Sequence, residues 1–121
     1  MICIVDDDES VRRSFARLLR AAGFEFRVYP SAAGFLAAPP AGGRVCILMD
    51  ITMPHMSGLE LQARLKERGM RFPVIAISAR DDDVARSTAR MLGASFFLRK
   101  PVDDEALLDA IGRATGTSAA A

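Results

Sequence analysis

The sequence predicts an α/β domain, a doubly wound parallel sheet of five strands with five helices on its two faces. Two observations predict it. The runs Ile2-Cys3-Ile4-Val5, Cys46-Ile47-Leu48-Met49 and Val74-Ile75-Ala76-Ile77 are apolar at every position rather than at alternate ones, the pattern of strands buried on both faces. Between such runs lie segments with apolar residues at helical spacing, and strict alternation with short links implies right-handed crossovers and a covered sheet.

The elements follow in order. Ile2 to Val5 is the first strand. Val11, Phe15, Leu18, Leu19 and Ala22 repeat at helical spacing, with Arg12, Arg13, Arg17 and Arg20 largely on the outer faces and Gly23 closing the helix. Phe24 to Val28 reads as the second strand. Ser31 caps a short helix through Ala38, and Pro39-Pro40-Ala41-Gly42-Gly43 is a turn-rich connection. The third strand ends at Asp50. Gly58 to Arg68 carries Leu61 and Leu65 on one side and stops at Gly69. Pro73 to Ile77 is the fourth strand, with proline at the first position that a strand allows it and Ser78 just past the end. Asp82 to Leu92 is a helix with acids in its first turn, and Gly93 ends it. Ser95 to Leu98 is the fifth strand, and Leu107, Leu108 and Ile111 mark the last helix. Residues 1–115 form one domain; residues 116–121 lack an apolar period and read as a tail or the start of a linker.

Composition narrows the function. A chain of 121 residues suits a single domain. With 50% hydrophobic and 26% charged residues and a formal net charge of +1, bulk electrostatics gives no reason to expect nucleic-acid or membrane binding. No apolar run approaches the roughly 20 residues of a membrane span, and a signal peptide's basic start and long apolar centre are missing, so the expected location is cytoplasmic. Cys3 and Cys46 each precede by four residues an acid at their strand's end. They are expected near one level of the sheet as free, buried thiols rather than a disulfide.

Two of the buried strands run into acid. Aspartate is a poor strand residue and costly to bury, so Asp6, Asp7 and Asp50 are expected to converge at the sheet's carboxyl edge, where open α/β sheets place ligands. Hard oxygen donors suit Mg²⁺, which takes one or two carboxylates and keeps waters that a phosphoryl oxygen can replace. Ser78 and Lys100 follow the fourth and fifth strands and add a hydroxyl and a point cation. Three carboxylates, one Mg²⁺ and one ammonium are neutral together, so the site can hold a phosphoryl group, and a carboxylate is a recognised phosphoryl nucleophile. Lysine at position 100 is informative because the chain has fourteen arginines and only Lys66 and Lys100 as lysines; a compact ammonium is what arginine's planar fork does not replace. A cis Lys100-Pro101 bond fits so tight a strand end. Asp8 and Glu9 read as helix-cap or solvated turn residues, Asp81-Asp82-Asp83 as an N-cap with favourable helix-dipole charges, and His55 as an exposed loop residue.

These residues resemble a family. Val5-Asp6-Asp7-Asp8, Met49-Asp50-Ile51-Thr52-Met53-Pro54 with Ser57-Gly58-Leu59-Glu60-Leu61, Ile77-Ser78-Ala79, Gly93-Ala94-Ser95-Phe96-Phe97 and Lys100-Pro101 are similar, in order and over residues 2 to about 114, to the receiver domain of two-component response regulators. The resemblance implies a flavodoxin-like sheet of order 2-1-3-4-5. It further implies that Asp50 accepts phosphate from a sensor histidine kinase. Mg²⁺ is then bound by Asp7 directly, by Asp6 largely through water, by Asp50 and by the Thr52 carbonyl. Ser78 and Lys100 engage the phosphoryl group, and Ser78 and Phe97 form a switch that alters the surface of the fourth helix, fifth strand and fifth helix. Such a domain is no ordinary enzyme; it assists its own phosphorylation and dephosphorylation. Its partners include a possible phosphorylation-dependent second copy and a possible C-terminal DNA-binding output domain. The family often has Asp or Asn at position 55 and an aromatic at position 102, where this chain has His55 and Val102. Three rival readings are weighed at this point: a phosphorylation-independent interaction module, disfavoured because every phosphoryl-site position is filled; a small flavodoxin-like electron carrier, against which three aspartates would repel a flavin phosphate; and an aspartate-based phosphatase, which would need a general acid two residues beyond Asp50, where Thr52 cannot serve.

Overall fold

The computed structural model describes residues 1–40, 44–80 and 82–116. The elements are β1 (Ile2–Val5), α1 (Glu9–Ala21), β2 (Phe26–Tyr29), α2 (Ala32–Ala37), β3 (Cys46–Asp50), α3 (Gly58–Glu67), β4 (Val74–Ser78), α4 (Asp83–Met91), β5 (Ala94–Arg99) and α5 (Asp104–Thr115). The three strands apolar at every position, β1, β3 and β4, are buried along their whole length and occupy the centre of a parallel sheet of order β2-β1-β3-β4-β5. Alternation divides their side chains between two cores. Ile2, Ile4, Cys46, Leu48, Ile75 and Ile77 pack with Phe15 and Leu19 of α1 and Leu107, Ala110 and Ile111 of α5. Cys3, Val5, Ile47, Met49 and Ala76 pack with Phe35 of α2, Leu61 and Leu65 of α3, and Ala89 of α4. Helices α1 and α5 therefore cover one face, and α2, α3 and α4 the other.

Where boundaries differ from expectation, hydrogen bonds explain it. The second strand begins at Phe26 rather than Phe24. Gly23, at φ 83°, lets its own amide bond Arg20 and the Phe24 amide bond the Leu19 carbonyl at 3.0 Å, so Phe24 belongs to the helix end. Pro73 stands outside β4, which instead takes in Ser78. Strand β5 gains a residue at each end, and the Lys100-Pro101 bond beyond it is cis. Asp82 caps α4 rather than joining it, its carboxylate accepting from the Val84 and Ala85 amides. Gly116 ends α5 in the left-handed region; the remainder of the expected tail, residues 117–121, and Ala41-Gly42-Gly43 of the turn-rich connection lie outside the described residues.

The cysteines are neighbours on adjacent strands, but not at one level. Ile2 pairs with Cys46 and Cys3 with Ile47, which sends the two thiols to opposite faces. Both are free. Burial raises the Cys3 thiol and, with Cys3 nearby, pushes Cys46 up to about 12, so both behave as small hydrophobes.

One close approach ties the fold to the carboxyl edge. Ser57 caps α3 through the Glu60 amide, and the Gly58 amide donates to the Ile51 carbonyl at 3.0 Å. A Cβ on Gly58 would stand 2.5 Å from the Asp50 carbonyl oxygen and 2.7 Å from the Ile51 Cα. Both are main-chain atoms, so no side chain can rotate away. Gly58→Ala is expected to lower stability by about 1–3 kcal/mol, the ordinary cost of overpacking. Urea denaturation measures it, and an unchanged midpoint would show that α3 slides freely against the end of β3.

Candidate metal and phosphoryl site

Three strand ends build the site. Asp6 continues the alternation of Ile2 and Ile4, Asp50 that of Cys46 and Leu48, and Lys100 that of Phe96 and Leu98, all toward the α1/α5 face. Asp6 is 1% exposed and Asp50 7%. Lys100 Nζ reaches both, 3.0 Å from Asp50 Oδ2 and 3.3 Å from Asp6 Oδ2. The other oxygens are engaged as well: Asp6 Oδ1 accepts from the Asp8 amide and Asp50 Oδ1 from the Thr52 amide, each at 2.9 Å. Both buried carboxylates are thus fixed in rotation. Asp7 is exposed, yet one oxygen from each of Asp6, Asp7 and Asp50 falls within 4.8 Å of the others.

The electrostatics is unbalanced among protein groups alone. Burial raises the Asp6 carboxyl above its ordinary range, and the Asp8 amide and Lys100 offset that only in part. Burial pulls the Lys100 ammonium down, but the hydrogen bond and charge of Asp50, followed by Asp6, outweigh it and hold it above its ordinary value. One ammonium is shared by two buried anions with a third carboxylate beside them. A divalent cation is the counter-charge that three hard oxygen donors suit.

The remaining expected residues are placed differently. Ser78 is 2% exposed, but it follows Ala76 on the alternate face, and its Oγ accepts from the Arg80 amide at 3.1 Å. Phe97 pairs with Ala76 across β4 and β5. It packs against the α2–α4 core under the Arg86 guanidinium, 5.3 Å from the ring centre. Ser78 and Phe97 therefore share one face of adjacent strands, while Asp6, Asp50 and Lys100 share the other. Thr52 joins the site through its amide. His55 is exposed, as expected, and holds the left-handed region at φ 69°.

Two contacts escape a reading of the sequence. Arg12, expected among the outward arginines, is half-buried and donates from Nη1 to the Asp6 carbonyl at 2.8 Å; no signal separates it from Arg13, Arg17 or Arg20. Gln62 is buried on α3 and donates to the Ala89 carbonyl of α4 at 3.2 Å. A polar residue one step from Leu61 on an otherwise apolar helix face is the one available hint.

A family model described as the response regulator receiver domain matches residues 2–112. The transcriptional regulatory protein FixJ of Azorhizobium caulinodans is 41% identical over 116 residues, which span 96% of this chain and 55% of that protein. The response regulator protein TodT of Pseudomonas putida is 38% identical over 111 residues, 92% of this chain and 49% of that protein. A crystal structure of FixJ-N superposes with a TM-score of 0.89 at 36% identity, over 95% of this chain and 92% of that one. The chain spans about half the length of the curated relatives it matches.

Stability without metal should depend on pH through Asp6. Because its carboxyl is raised when folded, the folded state holds the proton more tightly than the unfolded chain, and stability falls as pH rises from the ordinary aspartate range through the raised value. Lys100 acts in the alkaline range with the same sign: its contribution is present below the ordinary lysine value and lost as pH rises through the raised one. Asp6→Asn in EDTA should therefore be more stable than the parent at pH 7, with the difference closing below about pH 3.8, the ordinary aspartate value. A constant difference across paired urea titrations would remove Asp6 as its source.

Proposed function

The chain belongs to the response regulator receiver family, and from that membership we propose that Asp50 is its phosphoacceptor, taking a phosphoryl group from the phosphohistidine of a sensor kinase. The observation that carries the reading is Lys100 bonded to both Asp50 and Asp6 where three carboxylates gather. Asp6, Asp7, Asp50 and the Thr52 carbonyl would hold Mg²⁺. The bound ion would neutralise charge on the transferring oxygens.

The chain's own groups do the rest. An Asp50 oxygen attacks phosphorus, the phosphorus–nitrogen bond breaks, and its electron pair leaves on the imidazole, which takes up a proton from solvent. The Thr52 amide holds the Asp50 carboxylate against rotation. Lys100, already on Oδ2, is placed to follow the new negative charge onto the phosphoryl oxygens. Ser78 exchanges its turn contact with Arg80 for a phosphoryl oxygen and carries the event to the other face of the sheet. Thr52 offers no acid for turnover of small esters, in keeping with receiver domains of transcriptional regulators not being classical enzymes.

The output surface proposed is α4, β5 and α5. Val84 and Met91 of α4 are 75% and 79% exposed, and Phe97 lies beneath that helix on the face of the sheet that Ser78 shares. Phe97 turning into space vacated by Ser78 would change what α4 presents, and a second receiver copy that binds only the inward state supplies the differential affinity. Relatives described as transcriptional regulatory proteins support DNA binding as the output, through a further domain. Among the described residues, no helix is long and apolar enough to cross a membrane.

With Mg²⁺ and a small acyl phosphate, the parent should gain one acid-stable, base-labile phosphoryl group and Asp50→Asn none. Equal labelling of both by intact mass would reject Asp50 as the acceptor, and no labelling of either would leave the phosphorylation-independent module as the better reading. Beryllofluoride, a phosphoryl mimic, should shift sedimentation from monomer toward dimer. Phe97→Ala should weaken that shift severalfold while Asp50 is still modified; a monomer in both states would discard this surface and leave the phosphoryl site standing.

A further inference from the structure

The three acids of the cluster are not held alike. Asp6 is fixed by Lys100 and the Asp8 amide, and Asp50 by Lys100 and the Thr52 amide. Among the described residues, no hydrogen bond or ion pair reaches the exposed Asp7 carboxylate. Its placement beside the other two follows from the main chain that carries it, above all the plane of the peptide joining Asp6 to Asp7. The carbonyl of that peptide is the one Arg12 Nη1 holds at 2.8 Å. Arg12 is anchored in turn, since its amide bonds the Asp8 carbonyl at 3.0 Å in a first turn capped by the Asp8 side chain through the Ser10 and Val11 amides. Arg12 thus links the start of α1 rigidly to the one peptide whose tilt aims Asp7.

We propose that Arg12 is a positioning residue for the metal site: it holds the Asp6–Asp7 peptide and so presents the Asp7 carboxylate to a divalent cation. The proposal rests on the reading of the acid cluster as a Mg²⁺ site. Two physical effects of removing Arg12 have opposite signs, and this makes the role testable. Arginine is a cation near a cation site, so electrostatics alone predicts that its loss tightens Mg²⁺ binding. Loss of a group that orients a ligand weakens metal affinity, by about 10–100-fold for outer partners of metal ligands.

The test measures Mg²⁺ affinity of the full chain by isothermal titration calorimetry, beside melting temperatures in EDTA. Arg12→Met keeps the aliphatic stem and removes the donors; its Mg²⁺ Kd should rise about tenfold, the lower end of the range for such partners. Arg12→Lys restores one donor and should recover most of the loss. Asp7→Asn should lose most of the Mg²⁺ affinity, and adding Arg12→Met to it should cost less than about twofold more, because coupled residues are not additive. Arg12→Met binding Mg²⁺ as tightly as the parent, or more tightly, overturns the positioning role while the metal site stands. So does Arg12→Lys binding no better than Arg12→Met. A parent that binds no Mg²⁺ at millimolar concentration overturns the metal reading and the inference with it. Should Arg12→Met melt too low to titrate, Arg12→Leu and its double variant with Asp7→Asn take its place on the same terms.

Discussion

Two buried carboxylates on adjacent strand ends share one ammonium, and the carboxyl edge of the domain is organised around that arrangement. A buried charge is expensive unless it is paired and hydrogen-bonded. Asp6 and Asp50 meet the requirement with a main-chain amide on one oxygen and Lys100 on the other. The amides exist because the chain turns sharply after β1 and β3. The ammonium is in reach because β5 runs parallel to both and ends at the same edge. Even so, Asp6 is held above its ordinary carboxyl range, so the pairing is incomplete. On the proposed function, a place for cations and phosphoryl oxygens is kept at a cost in stability within the same few residues, the pattern expected where function overrides local preference.

On the proposed function, the sheet separates chemistry from its consequence. Side chains alternate along a strand, so Asp50 and Lys100 face α1 and α5 whereas Ser78 and Phe97 face α2, α3 and α4. Only at a strand end can one residue serve both sides, and Ser78 is the last residue of β4. On the proposed function its short side chain is the link between the phosphoryl group and the core beneath α4. A longer residue would have to pack in one core or the other.

Much of this is legible in the sequence because the central strands are apolar at every position, a pattern that helices at the surface do not produce. The acids stand out because aspartate at the end of such a strand has no packing reason to be there. Lys100 stands out against fourteen arginines. What escapes depends on exact approach rather than residue type. Phe24 reads as a strand residue until Gly23 is seen to wrap the helix end around it. Arg12 looks like its three neighbours because helical spacing gives only a face, and its side chain curls back along the helix axis to the loop it came from. The offset of Cys3 and Cys46 is a register of one residue, which no strand pattern specifies and which inverts the face each thiol meets.

The helix that would report the phosphoryl state is the one with least holding it. Helix α4 buries a single residue, Ala89, whereas α1 and α5 bury two and three. Ala85 packs beside it, half-buried, and two directional contacts add to this: Gln62 of α3 holds the Ala89 carbonyl, and Arg86 lies over Phe97. A hydrogen bond and a cation–π contact are each worth about 1 kcal/mol, and both depend on direction, so a small rotation of the Phe97 ring or of the helix axis weakens them sharply. A large apolar interface would tolerate the same displacement with little change in energy. On the proposed function, a shallow core contact and bonds sensitive to angle would make α4 an element that a sub-ångström event at Ser78 can reset, whereas α1 and α5, anchored through their own cores, keep the carboxylates in place.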